Sequence, residues 1–261
     1  MPGSVALGDG LTVADVVAVA RDGAAAVLPD EARERMAASR EVVEQALQRG
    51  DPVYGLTTGV GALRDVRVGT GQAEFNRRLV TTHAVGHGPP ASAAVVRAAM
   101  LVRAQGLARG GAGVRPAVAE ALCTALTDGL TPDVHVIGSL GQADLGPLAE
   151  IAAALVGAGR LELEAREGLA FVNANAFAVG WGCLAHASAE GAMAALDRSA
   201  ADPHQSHCPA RELRPGCPLR LRRNPGAESK ESEPASHRQL RRLRCNIEPD
   251  RTGWFLIRCA S

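Results

Sequence analysis

The stretch from Ala91 to Arg109 does most to limit what this chain can become. It is an apolar run of Ala, Val, Leu and Met with Arg97 and Arg103 as its polar side, stopped by Gly110, Gly111 and Gly113. That spacing predicts a strong helix. Such a helix needs neighbours with matching surfaces. The 261 residues are 46% hydrophobic yet hold only four Phe, two Trp and one Tyr. The core must therefore come from Ala, Val and Leu, a composition that favours close-packed helices.

The same reading extends along the chain. Leu11 to Leu28 is predicted as a short helix with Thr12 as N-cap and Asp15 three residues on, weakened at its end by Gly23. Asp30 caps a second helix that runs to Gln48 and is ended by Gly50. Residues 51–67 form a glycine-rich loop or extended segment. Gln72 to Ala84 is helical, Pro116 opens a helix ended by Gly129, and Thr131 to Gln142 is irregular. An apolar helix follows from Asp144 to Val156, with Pro147 tolerated in its first turn. Leu161 to Leu163 is expected as a short strand, and Glu167 starts the last well-patterned helical region, to Leu196.

After Leu196 the character changes. Residues 198–261 hold 7 of the 15 prolines, 4 of the 6 cysteines and the single lysine, Lys230, and carry a net charge of +6 against −6 for residues 1–197. Such a segment buries too little apolar surface to offset its ordering entropy. The expected organisation is a globular domain over 1–197 and a basic, poorly ordered tail over 198–261. The abrupt shift is the kind that a frame change in the coding DNA produces. Among the tail residues, His204, His207, Cys208 and Cys217 have no standard zinc spacing, so no metal is expected. The basic run Arg238 to Arg244 has no interleaved aromatic platforms.

Formal net charge is zero, which argues against nucleic-acid or membrane-surface partners. The N-terminus lacks a basic leader followed by an apolar run, and no stretch approaches the roughly 18 apolar residues that span a bilayer. Two cysteines lie alone in the body, Cys123 and Cys183. A cytoplasmic, reduced protein is expected.

Four segments carry a family resemblance. Tyr54-Gly55 to Gly61 resembles a YGxNTGxG loop, and Asn76 to Gly88 resembles an NLxxSHxxGxG helix. Ile137 to Leu148 (IGSLGQADLGPL) resembles GSxGASGDLxPL, and Glu167 to Asn175 (EGLAFVNAN) resembles EGLALxNGT. In order and at matching spacing, they resemble the histidine/aromatic amino-acid ammonia-lyase family, which uses a methylidene-imidazolone prosthetic group. The resemblance implies a mainly α fold, the N-terminal part of the fumarase/aspartase-like architecture. It also implies elimination of ammonia from an L-amino acid and a homotetramer around a helical bundle.

The chemistry explains the recurring residue types. Elimination removes a weakly acidic proton and expels a poor leaving group, and no ordinary side chain is electrophilic enough to assist. The family cyclises an internal Ala-Ser-Gly with loss of two waters to make an electrophilic alkene from its own backbone. By resemblance Tyr54 is the catalytic base or acid on the loop; the alternative is a packed loop tyrosine. His83 stands where histidine-type members contact the substrate side chain, or is a structural histidine. Asn173 matches the asparagine that hydrogen-bonds the prosthetic group and substrate, or is an N-cap or turn residue. Asp144 matches the motif aspartate, with helix capping at Leu145 as its expected role.

The pattern fails at its centre. Where the family has Gly-Ala-Ser-Gly-Asp-Leu, this chain has Gly141-Gln142-Ala143-Asp144-Leu145, one residue short. The serine that supplies the methylene carbon and the glycine amide that attacks are both missing. Ser139 matches an earlier, non-cyclising serine and is followed by Leu140. Thr57 stands where the family has asparagine, Ala174 replaces the glycine of NGT, and nothing after Leu196 resembles the bundle helices. No prosthetic group is expected here. Two functions follow: an ammonia-lyase acting on histidine or a related aromatic amino acid, or a non-catalytic relative. That relative would be a truncated product, a partner for a full-length lyase, or a relic of an aminomutase.

Overall fold

Thr12 starts the first helix by a reciprocal pair of bonds. Its hydroxyl accepts from the Asp15 amide at 3.2 Å, and the Asp15 carboxylate accepts from the Thr12 amide at 2.8 Å, which satisfies two otherwise orphaned donors. The computed structural model describes residues 3–69, 71–139, 141–201, 244–249 and 255–260. In chain order the first elements are β1 (Ser4–Ala6), β2 (Leu11–Thr12), α1 (Val13–Ala20), β3 (Ala25–Val27) and α2 (Asp30–Arg49). The expected helix to Leu28 is therefore cut short. Gly23, at φ +76°, turns the chain, and Ala25–Val27 pairs in parallel with β1 in the register Ser4↔Ala25. In α2 the N-cap is Pro29 rather than Asp30, which lies with Glu31 in the first turn, where acidic side chains complement the helix dipole.

The loop after α2 contains a short 3-10 turn, Gly61–Leu63, and leads to α3 (Gln72–His83), β4 (His87–Pro90), α4 (Ala93–Ala108) and α5 (Pro116–Thr127). Next come β5 (His135–Ile137), α6 (Leu145–Gly157), α7 (Glu167–Val172) and α8 (Ala176–Ala201). Strand β5 lies in the segment expected to be irregular and pairs antiparallel with β4. The Glu150 carboxylate on α6 accepts from the His135 amide at 2.7 Å and ties β5 down. The strand expected at Leu161–Leu163 does not form; both leucines are buried without one. The helical region expected from Glu167 is made of two helices, with a break at residues 173–175.

At the centre is α4, packed against α8, α5 and α1. It is buried nearly all round, with Val96, Ala98, Ala99, Leu101 and Val102 wholly excluded from water, and its small side chains let the neighbouring backbones approach closely. Arg97 and Arg103 do not form a solvent side. Arg97 donates to the carbonyls of Val19 and Leu126, both at 2.9 Å, near the C-terminal ends of α1 and α5. There a cation meets unsatisfied carbonyls. Arg103 is buried and donates to the Ala170 carbonyl. A smaller core of Val43, Ala46, Leu56 and Ala165 anchors the glycine-rich loop.

Residues 167–199, taken across the break between α7 and α8, are long and apolar enough to cross a membrane by length and composition only. Just over half of their most apolar window is buried inside the fold, so core packing accounts for that apolarity.

In the tail, the structure describes β6 (Arg244–Pro249) and β7 (Phe255–Ala260), where sequence patterning gave no regular element. They form an antiparallel pair, and β6 adds to β2 with Leu11 opposite Ile247. The candidate zinc residues, and Arg238 to Arg242 of the basic run, lie outside the described residues.

Candidate functional site

The C-terminus of α3, the N-terminus of α6 and the end of α7 meet around a cleft of about 480 Å³. It brings together His83, Asn173 and the altered segment Gly141, Gln142 and Ala143, with Ser139 also on the wall. Three of the four sequence motifs thus converge on one place.

His83 ends α3 and is half-buried. Its Nδ1 lies 2.7 Å from the Leu79 carbonyl oxygen. A carbonyl only accepts, so Nδ1 carries the proton and Nε2 is the ring atom left for a ligand. Asn173 is the C-cap of α7, its amide donating to the Leu169 carbonyl at 3.0 Å. It is exposed at the cleft.

Two buried links fix α7. Asn76, wholly excluded from water, accepts from the Gly168 amide through Oδ1 at 2.8 Å. Glu167, also wholly buried, takes Arg115 Nε at 2.9 Å and Nη2 at 2.8 Å, together with the Arg115 and Glu164 amides. This bidentate pairing satisfies the carboxylate and holds the Arg115 guanidinium above its ordinary range. Neither residue was singled out from the sequence. The available signal was a polar side chain inside an apolar helical face.

Asp144 departs from its expected role. It occupies the N-cap position of α6 but makes no capping bond there. Its carboxylate instead accepts from the Ala178 amide at 2.8 Å, and from the Phe177 amide, at the start of α8. Burial pushes its carboxyl up, partly offset by those two amides. Ala143 is buried, whereas Gly141 and Gln142 are exposed. A Cβ on Gly146 would collide with the Gly138 carbonyl oxygen, so that carbonyl is packed against α6.

Tyr54 is not brought to this cleft. It lines a separate one of about 380 Å³ with Pro52, Thr58, Arg64, Asp65 and Arg67. Its hydroxyl accepts from the Gly61 amide at 3.0 Å. Thr57 is buried; its hydroxyl accepts from the Val53 amide at 2.8 Å and donates to the Asp51 carbonyl. A side chain that closes the loop on itself thus replaces the family's asparagine. Among the described residues no group of three or more His, Cys, Asp or Glu side chains could hold a metal ion.

Comparison with known proteins agrees with this architecture. Solved structures of mainly helical ammonia-lyases and aminomutases superpose on the body. A tyrosine aminomutase from Streptomyces globisporus is 35% identical, with a TM-score of 0.65 over 70% of this chain and 39% of that one. A histidine ammonia-lyase from Trypanosoma cruzi is 25% identical, with a TM-score of 0.62 over 70% and 40%. In sequence, a histidine ammonia-lyase from Symbiobacterium thermophilum is 40% identical over 76% of this chain and 44% of its own length. One from Streptomyces griseus is 45% identical over 59% and 30%. The family model for aromatic amino acid lyases matches residues 11–162. The chain belongs to the histidine/aromatic amino-acid ammonia-lyase family. It spans less than half the length of the relatives it matches.

Proposed function

We propose that this chain is a non-catalytic member of the histidine ammonia-lyase lineage, retaining a substrate-type cleft without the means to make the electrophile. The observation that carries this reading is the segment Gly141-Gln142-Ala143-Asp144, whose first three residues line the cleft. Cyclisation of Ala-Ser-Gly needs a serine as the methylene source and a glycine amide as nucleophile, and the segment holds neither. Ser139 offers no substitute. Leu140 follows it in place of glycine, and the Gly138 carbonyl that would be attacked is packed against Gly146. The residues present do not fit the family's prosthetic group, and no elimination step is assigned to this chain.

Incubating the purified protein with L-histidine, followed by ultraviolet absorbance for a conjugated product, tests the reading. Mass spectrometry of the peptide spanning residues 138–145 should give its unmodified mass. Robust turnover together with loss of two waters from that peptide overturns it. The composition break after Leu196 is part of the same reading: if residues 198–261 keep the third-position codon bias of the body, a frame change is excluded.

A second reading, a partner of a full-length lyase, is favoured by Tyr54, half-exposed in a cleft apart from His83 and Asn173. Co-purification with a full-length relative is its test. A reducing, cytoplasmic setting agrees with the buried, unpaired Cys123 and Cys183.

A further inference from the structure

We infer that Cys245 and Cys259 are a redox pair that closes to a disulfide across the β6–β7 ribbon when the surrounding glutathione pool is oxidised. The juxtaposition that carries this is their place as direct partners in the antiparallel register. It is independent of whether the cleft supports catalysis.

Strands β6 and β7 pair over six consecutive positions, from Arg244↔Ala260 to Pro249↔Phe255, with Cys245↔Cys259 second from one end. Directly opposite residues of an antiparallel pair share one face of the ribbon, with Cα atoms about 4.5–5.5 Å apart. A disulfide spans Cα separations of about 4.4–6.8 Å, so the ladder suits the bond without backbone movement.

Register decides the matter, since a slip of one residue would put the two cysteines on opposite faces. Two observations hold it. Strand β6 is the middle strand of the sheet β2-β6-β7, and its Asn246 and Ile247 pair on the other edge with Thr12 and Leu11. The alternation agrees: Cys245, Ile247, Pro249, Phe255, Ile257 and Cys259 share one apolar face, whereas Arg244, Asn246, Glu248 and Arg258 fall on the other.

The exchange balances with glutathione disulfide as oxidant. One cysteine thiolate attacks it and releases a glutathione thiolate, leaving a protein–glutathione mixed disulfide. The opposing cysteine then displaces the second glutathione and forms the Sγ–Sγ bond. The two cysteines lose two electrons and two protons, which leave on two glutathione thiols. Excess glutathione reverses the exchange, so in a reducing compartment the pair rests as thiols. The bond encloses residues 246–258 and ties β7 to a strand that is itself paired with β2, so oxidation holds the hairpin closed against the body.

Treating the dilute full chain with glutathione disulfide, blocking free thiols with N-ethylmaleimide and digesting with trypsin without reductant tests this. Cleavage after Arg244, Arg251 and Arg258 should yield residues 245–251 linked to residues 259–261, and added glutathione should separate them. Moving one cysteine by a single position, Arg258→Cys together with Cys259→Ser, should lower the yield of the bond to Cys245 at least about tenfold, because position 258 lies on the other face. Cys245 or Cys259 found chiefly on Cys208, on Cys217 or on a second chain overturns the inference. So does finding both as free thiols or mixed disulfides, or a shifted variant that pairs as well as the parent.

Discussion

Asn76 Oδ1 accepts the Gly168 amide hydrogen at 2.8 Å, and this bond joins two sequence motifs that lie far apart in the chain. Asn76 opens the segment that ends beyond His83, and Gly168 belongs to the segment that ends beyond Asn173. The bond sets α7 against α3 and so places both cleft residues. Asn76 also donates to the Gln72 carbonyl at 2.8 Å, which fixes the orientation of its amide.

Asn76→Ala should lower unfolding stability by about 1–3 kcal/mol, because the buried Gly168 amide loses its acceptor. Gly168→Ala should cost at least as much, since a Cβ there meets the Asn76 backbone carbonyl. Urea denaturation measures both. A loss below about 0.5 kcal/mol for both variants contradicts the assignment.

Glu167→Gln leaves the Arg115 guanidinium without its bidentate carboxylate. The expected loss is about 1–3 kcal/mol, less than for an unpaired buried charge, because Arg115 keeps the Glu164 carboxylate at 2.6 Å. Arg40, whose Nη1 lies 3.9 Å from Glu167, remains bonded to Glu164 and the Ala165 carbonyl, so it does not rescue the variant. Denaturant unfolding at neutral pH and moderate salt should read this loss; salt screening should change it little, because Glu167 is wholly buried.

Asp144 gives a pH signature. Burial raises its carboxyl in the folded protein above the unfolded value. The folded state therefore holds the proton more tightly, and the associated stability is complete below about pH 4 and lost as pH rises through the folded value. Asp144→Asn keeps an acceptor for the Ala178 amide without this titration. Wild-type stability minus that of the variant should fall as pH rises from about 4; a difference that rises reverses the assignment.

Burial pushes both the Cys123 and Cys183 thiols up to about 11. At pH 8 neither should form enough thiolate to react. Brief alkylation of the native protein with iodoacetamide, read by peptide mapping, should leave both unlabelled, and labelling in urea should reach both. Native labelling at a rate close to that of a free thiol would show that the cores around them open readily.

The N-cap Thr12, the stop at Gly50 and the extents of α5 and α6 were legible because they depend on neighbours a few residues away. Motif order placed His83, Asn173 and the altered segment in one candidate site, and the cleft contains all three. The helix expected through Leu28 failed because β1, some twenty residues earlier, offers Ala25–Val27 a strand partner that helical periodicity does not register. Arg97 and Arg103 misled in the same way: spacing marks a polar stripe, but only packing decides whether water or carbonyl groups satisfy it.

By itself the sequence determined the helical class, the family and the chemical content of the cofactor segment, since composition, motif order and residue identity are one-dimensional. Tertiary structure alone decided that Asp144 caps α8 instead of α6, that Glu167 and Asn76 anchor α7, and that Tyr54 lies apart from His83. Each of these depends on which donor faces which acceptor across a folded interface, and an isolated segment carries no record of that.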